Sequence, residues 1–273
     1  MDFEDIPRFE PMTTGRLLDR AFRLYGANFS LMLGITAVAY VPLYALKLLM
    51  QAAASNTSSA LGRAFFTNFS EILFFILWVS VAFPFATGAA TYAISERYLG
   101  NEVTIDQALW RALRKFWTLS MAQLIVGIRV ALGLILLIIP GILWSLSYAL
   151  VVPAILVENQ KPAPSLRRSS ELVKGYRGKV FLVVAVVLVL QWVLGFGAGS
   201  LSVLFSESGS ATRNLMVAIF TDFTEILFTP LGIIANILLY YDFRIRKEGF
   251  DLEMLSRALA VRPETAASVS IQP

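Results

Sequence analysis

Six long apolar runs dominate the chain, at roughly 29–50, 69–94, 117–139, 142–157, 180–205 and 223–241. Because a bilayer core takes about 20 apolar residues per helix, these runs predict six membrane spans joined by short loops. The fourth run is short and follows the third through Pro140 and Gly141 alone. A turn that tight and uncharged can sit within a leaflet if its backbone groups are buried in protein. Composition agrees, since 57% hydrophobic and 15% charged residues, with a mean hydropathy of +0.67, leave too little polar surface to coat a soluble globule. The absence of cysteine and histidine excludes disulfides, thiolate metal sites and imidazole chemistry. No cofactor is expected. The first 28 residues carry Asp2, Glu4, Asp5 and Glu10 without a continuous apolar stretch, and do not read as a cleaved leader.

Basic residues orient the spans, because Lys and Arg accumulate in cytoplasmic loops. One side holds Arg8, Arg16, Arg20 and Arg23; Arg97, Arg111, Arg114 and Lys115; Lys161, Arg167, Arg168, Lys174, Arg177 and Lys179; and Arg244, Arg246, Lys247, Arg257 and Arg262. These are 19 of the 23 basic residues, against Arg63 and Arg213 in the opposite loops and Lys47 and Arg129 inside spans. Both termini are therefore expected in the cytoplasm. The net charge of +4 then reflects topology, and no motif for reading nucleic acid occurs.

Amphipathic segments precede the odd-numbered spans: TGRLLDRAFRLYGANF, TIDQALWRALRKFW and PSLRRSSELVKGYRGK. Apolar residues at helical spacing alternate with arginines, as expected for a helix in the headgroup plane. LDRAFR at 18–23 aligns with LWRALR at 109–114 and more weakly with LRRSS at 166–170, making Arg20, Arg111 and Arg168 equivalent. The expected fold is an all-α polytopic domain of six spans and three cytoplasmic interfacial helices, written as a threefold repeat of surface helix, span and span. A tail over 1–12 precedes the membrane domain of 13–249, whose repeats cover about 13–100, 101–160 and 161–249; 250–273 is expected to form a short surface helix and a disordered end.

The even-numbered spans end with Glu96, Glu158 and Asp242. An anion near a helix C-terminus opposes the helix dipole, so three such acids predict a cytoplasmic belt of pairs with Arg20, Arg111 and Arg168. Independent solvated charges are the alternative. A second duplication is FTNFSEILF at 66–74 and FTDFTEILF at 220–228, identical at seven of nine positions. Asn68 or Asp222 with Glu71 or Glu225 three residues later reads as an Asx capping box opening a helix at the outer face. The other reading is a paired carboxylate site, Glu71 with Glu225, for a cation or proton.

Arg129 lies near the middle of the third span, where a charge costs about 3 kcal/mol on insertion scales. It predicts either a ligand or lipid-phosphate contact inside the bundle, or a structural pair with Glu71, Glu225 or backbone carbonyls. Gly195 and Gly199 form a small-xxx-small packing face, Pro42, Pro84, Pro153 and Pro230 interrupt spans, and Lys47 is expected to snorkel outward. No phosphate loop, metal cluster or nucleophile–base pair appears. Tyr241 and Asp242 match half of an intramembrane aspartyl protease site, whose Gly-x-Gly-Asp half is missing.

The stretches LLDRAFRLYGANF, IIPGILWSLSYALVVPAILVEN, SLRRSSELVKG and LLYYDFRIRKEGFDLE together resemble the membrane domain associated with glycerophosphoryl diester phosphodiesterases, and related bacterial integral membrane proteins. The resemblance covers about 15–253, and YYDxRIRKEGFDLE is its most specific part. It implies the bacterial cytoplasmic membrane and an anchoring or accessory role. Catalytic domains of that family use histidines beside metal-binding acids, so none of their residues transfers to this chain. The expected function is a non-enzymatic scaffold or accessory protein that binds anionic lipid headgroups or a protein partner through its basic cytoplasmic face. The alternative is a small transporter or channel for lipid-derived or other solutes with Arg129 on the path, and an intramembrane enzyme comes third.

Overall fold

The computed structural model describes residues 11–56, 58–205 and 211–249, except for the side chains at 55, 194, 195, 198, 199, 201–205 and 211–218. The packing of Gly195 and Gly199 and the expected surface helix after 250 lie outside the described residues. Those residues form α1 (Thr14–Ala27), α2 (Phe29–Ser55), α3 (Ala60–Leu77), a π-helical turn (Trp78–Ala82), α4 (Phe83–Tyr98), α5 (Ile105–Leu136), α6 (Ile138–Ser147), α7 (Val151–Val157), α8 (Pro162–Val173), α9 (Arg177–Phe205) and α10 (Ala211–Glu248), and no strand. Five stretches among them are long and apolar enough to cross a bilayer: Phe29–Ala54, Ala60–Tyr98, Ile105–Leu136, Ile138–Val157 and Ile219–Glu248. Their outward faces carry large apolar side chains such as Phe65, Trp117, Leu132 and Ile135, the arrangement that lipid as solvent favours.

The C-terminal half of α10 is the axis of the bundle. Ile234, Ile237, Leu238, Leu239, Tyr240, Tyr241 and Phe243 are all fully buried. They join one core with Leu17 and Ala21 of α1, Met32 and Ile35 of α2, Ala89 and Ala93 of α4, Leu172 of α8 and Val180 of α9. Lys179 meets Asp242 and Val187 lies against Gly232, so α9 runs antiparallel to α10. The ends of α4, α7 and α8 turn through the left-handed residues Gly100, Asn159 and Gly175, two of them glycines that carry no Cβ penalty there.

Three breaks in the spans are mended by a hydroxyl from another helix. Pro84 cannot donate to the carbonyl of Ser80, and Ser120 Oγ of α5 donates to that oxygen at 3.1 Å. Pro230 likewise frees the carbonyl of Ile226, which accepts from Thr36 Oγ1 of α2 at 3.1 Å. The returning arm is interrupted at 148–150, between α6 and α7. There the fully buried Ser169 of α8 donates to the carbonyl of Ser147 at 2.8 Å and accepts from the amide of Leu150 at 3.0 Å. Without water in the bilayer core, such borrowed partners are what makes a broken helix tolerable.

Several expectations are corrected. The first amphipathic segment does not lie flat: the Met12 amide meets Asp242 at one end of α1, and the Tyr25 hydroxyl donates to the Leu227 carbonyl at the other. Those α10 positions are about 22 Å apart at 1.5 Å per residue, so α1 follows α10 lengthwise. An apolar stripe is satisfied by a neighbouring helix as readily as by a membrane surface. The second segment is not a separate helix, because α5 continues unbroken from Ile105 to Leu136 after a capping box at Thr104 and Gln107. The hairpin breaks at Leu137, whose extended backbone separates α5 from α6, rather than at Pro140 and Gly141. Pro140 fits within the first turn of α6, where its missing amide costs nothing, and a Cβ on Gly133 would come within 2.8 Å of the Gly141 Cα.

Neither copy of the nonapeptide opens a helix. Ser59 caps α3 instead, and Asn68 and Asp222 lie well inside α3 and α10. Asn68 Nδ2 donates back to the Ala64 carbonyl at 2.9 Å. The capping-box spacing of three residues is also the spacing that puts two side chains on one helix face, and this second use is the one realised in α10.

Candidate functional site

At the end of the bundle away from most of the basic residues, α2 presents a polar stripe at Tyr40, Tyr44, Lys47 and Gln51, spaced four, three and four apart. The stripe meets both nonapeptides. Tyr44 donates its hydroxyl to Glu225 Oε2 at 2.7 Å, Lys47 Nζ reaches Asp222 Oδ1 at 3.5 Å, and Gln51 Nε2 donates to Glu71 Oε1 at 3.2 Å. Lys47 therefore turns inward, over the Phe74 ring at 4.7 Å, with only 16% of its side chain exposed. The expected outward snorkelling is corrected: a carboxylate within the bundle holds the ammonium more strongly than the surface does. One lysine shares this cluster with three acids, Asp222, Glu225 and Glu71, and pairs directly with Asp222. The Tyr40 hydroxyl and Asp222 Oδ2 are buried without a protein hydrogen-bond partner. Such orphaned groups cost about 1–3 kcal/mol each.

Below this cluster lies a cavity of about 500 Å³ between α9 and α10, closed by Tyr40, Trp78, Phe83 and Thr87. A stripe of Thr221, Glu225, Thr229, Gly232 and Asn236 runs down its α10 wall, and Val183, Val187 and Gln191 form the α9 side. A second cavity of about 510 Å³ lies between α4, α5, the α6–α7 arm and α10. Trp78, Phe83, Thr87, Ile233 and Asn236 line both, so the two adjoin across this partition. The partition is the π-helical turn and the start of α4, where Trp78 stacks on Phe83 with ring centroids 5.0 Å apart. π-helical turns commonly re-aim side chains at functional positions.

Around Glu158 and Asp242 the basic end is a network of paired charges. Arg168 grips Glu158 through Nε at 2.8–2.9 Å and Nη2 at 2.8 Å, and reaches Glu248 at 2.5 Å. Tyr240 donates to the same Glu158 at 2.8 Å. Its hydrogen bond to Glu248, reinforced by Glu158, holds Arg168 above the ordinary guanidinium range despite partial burial. The fully buried Asp242 accepts from the Met12 amide at 2.6 Å, Lys179 at 2.6 Å and Arg246 at 2.9 Å. Lys179 and Arg246 also donate to the Met12 carbonyl, stapling the start of α1 to α9 and α10. Lys247 caps α8 by donating to the carbonyls of Glu171 and Lys174.

Of the three expected belt pairs, the structure brings together Arg168 and Glu158. Arg20 instead lies over the Tyr98 ring at 4.7 Å and Arg111 over Tyr92 at 5.8 Å. Glu96 accepts from Asn101 at 2.7 Å, and Asp242 takes Lys179 and Arg246. The correction has one cause: tyrosine faces in the same helical turns attract guanidinium without a desolvated carboxylate. Arg129 is separated from Glu71 and Glu225. It is exposed on α5, donates to the Tyr148 hydroxyl at 3.2 Å and lines neither cavity. At seven residues before the end of α5, it lies about 10 Å from that end, close enough for a long side chain to reach the interface.

Sequence reasoning missed Tyr40, Tyr44, Trp78, Thr87 and Asn236. The signal for the first two was the polar stripe at 40, 44, 47 and 51, legible as one face of an otherwise apolar span. Trp78 and Asn236 carry no comparable signal. Comparison with family models, with curated proteins and with solved structures finds no match.

Proposed function

We propose that this is a non-enzymatic multi-pass membrane protein that receives the apolar chain of an amphiphile between its helices. The observation that supports it is the pair of adjoining cavities, each of ligand size, with apolar walls and a few polar groups. An interior shaped this way suits a lipid or lipid-derived molecule better than a hydrated ion. In this reading α9 is a sixth crossing, because it runs antiparallel to α10 over the length between Lys179 and Val187. An even number of crossings is supported by Met12 and Arg246 meeting at one end of the bundle. The positive-inside rule assigns that end to the cytoplasm. The three units of helix, span and span, the likeness to the phosphodiesterase-associated membrane domain and a bacterial inner-membrane location belong to the same proposal.

Headgroup docking at the basic face is a second reading, favoured by one observation. Trp110, Leu113 and Trp117 are exposed on a single face of α5 beside exposed Arg114, a combination suited to an anionic membrane interface.

Native mass spectrometry of the full-length protein purified in mild detergent tests both. Retained lipid is expected, and Gly232→Leu, which projects into the first cavity from a position where a Cβ already meets Val187 at 3.4 Å, is expected to reduce it several-fold. An exposed control, Gly26→Ala, leaves it unchanged. Equal retention by a folded Gly232→Leu protein would refute interior binding. An annulus without enrichment in anionic lipid would refute the second reading.

A further inference from the structure

We propose that the headgroup received in the first cavity is an ammonium, recognised by Glu225 and the buried hydroxyl of Tyr40; this rests on the interior-binding reading above. Among the described residues, Glu225 is the one charged side chain on the cavity wall. Its neighbour Lys47 makes its direct ion pair with Asp222 and acts on Glu225 only from a distance. Its hydrogen bonds come from neutral donors, the Tyr44 hydroxyl at Oε2 and the Trp78 side chain. A carboxylate in such surroundings is stabilised by an incoming positive charge and would repel a phosphate or carboxylate headgroup.

Tyr40 is the independent second sign. It is fully buried, lines the same cavity and directs a hydroxyl that has no protein partner. A primary ammonium has three donors to distribute, and this hydroxyl and the Glu225 carboxylate are two acceptors lining the same cavity. The rings of Tyr40, Trp78 and Phe83 in that lining add faces that attract cations. The described residues contain no group of three acids placed to hold a metal ion, which favours an organic cation. The apolar walls between α9 and α10 would take its alkyl chain.

The test uses the full-length protein in a neutral detergent with three probes of equal chain length: dodecylamine, dodecanol and dodecanoic acid, read as occupancy by native mass spectrometry. Dodecylamine is expected to bind at least tenfold more tightly than dodecanoic acid. Glu225→Gln should erase that preference while dodecanol binding persists, and Tyr40→Phe should weaken dodecylamine alone by severalfold. Equal affinity for the three headgroups in the wild-type protein overturns the proposal without any variant, as does a preference that survives Glu225→Gln. Failure of all three probes would instead overturn interior binding itself. Nanodiscs carrying phosphatidylethanolamine or phosphatidylglycerol distinguish the sources. Selective retention of the former assigns the ammonium to a phospholipid, and dodecylamine binding without it assigns a free amine.

Discussion

Replacing Ser169 with alanine removes a single oxygen, yet it should unsettle the α6–α7 arm. The Ser169 hydroxyl bridges the Ser147 carbonyl and the Leu150 amide, and the residue is fully buried. Two backbone groups therefore lose their partner where water does not replace it. Side-chain hydrogen bonds between membrane helices average about 0.6 kcal/mol and reach about 1.7, so two of them give roughly 1–3 kcal/mol of destabilisation. The cavity left by one oxygen adds little to that. Ser170→Ala, on the partly exposed side of the same helix, is the control and should be close to neutral. Equilibrium unfolding in mixed micelles measures the difference, and hydrogen exchange at the Leu150 amide localises it. Ser169→Ala stability indistinguishable from Ser170→Ala, with Leu150 still protected, would refute the bridging role.

Two further outcomes follow from the charges. Arg168→Gln abandons two acids at once and should cost about 3–5 kcal/mol at the buried limit, discounted toward 1–2 because 23% of the side chain is exposed; Arg20→Gln loses a ring contact worth about 0.5–1. Thermal unfolding of the two variants in parallel checks that order, and equal losses would contradict it. Because the chain has no cysteine, single substitutions Arg63→Cys and Lys174→Cys can be labelled cleanly with a membrane-impermeant reagent. The two should react from opposite faces of the membrane, and labelling from one face would end the six-crossing topology.

Much of the architecture was readable because apolar runs and basic loops are dictated by the solvent, which acts on every span alike. The membrane-crossing stretches within α2, α5 and α10 followed from that. What failed depended on neighbours. Asn68 and Glu71 carry the letters of a cap, but Ser59 begins α3 and leaves them inside it. Arg20 and Arg111 have the spacing of belt residues, yet the nearest favourable surface is a tyrosine ring. The first and second amphipathic segments are alike in pattern, and only packing makes one a helix beside α10 and the other the opening turns of α5. The cavity was invisible because a void has no letters, although the polar stripe from Tyr40 to Gln51 marked its rim.

The mended breaks also order the assembly of the chain as it leaves the ribosome. The carbonyl freed at Ser80 waits for Ser120, and the gap at 148–150 waits for Ser169, each a few tens of residues behind. The carbonyl freed at Ile226 waits for nothing, since Thr36 was synthesised long before. A nascent chain stopped between α7 and α8 would hold a wound that lipid cannot dress, whereas α10 follows the other described helices into a socket already furnished to receive it.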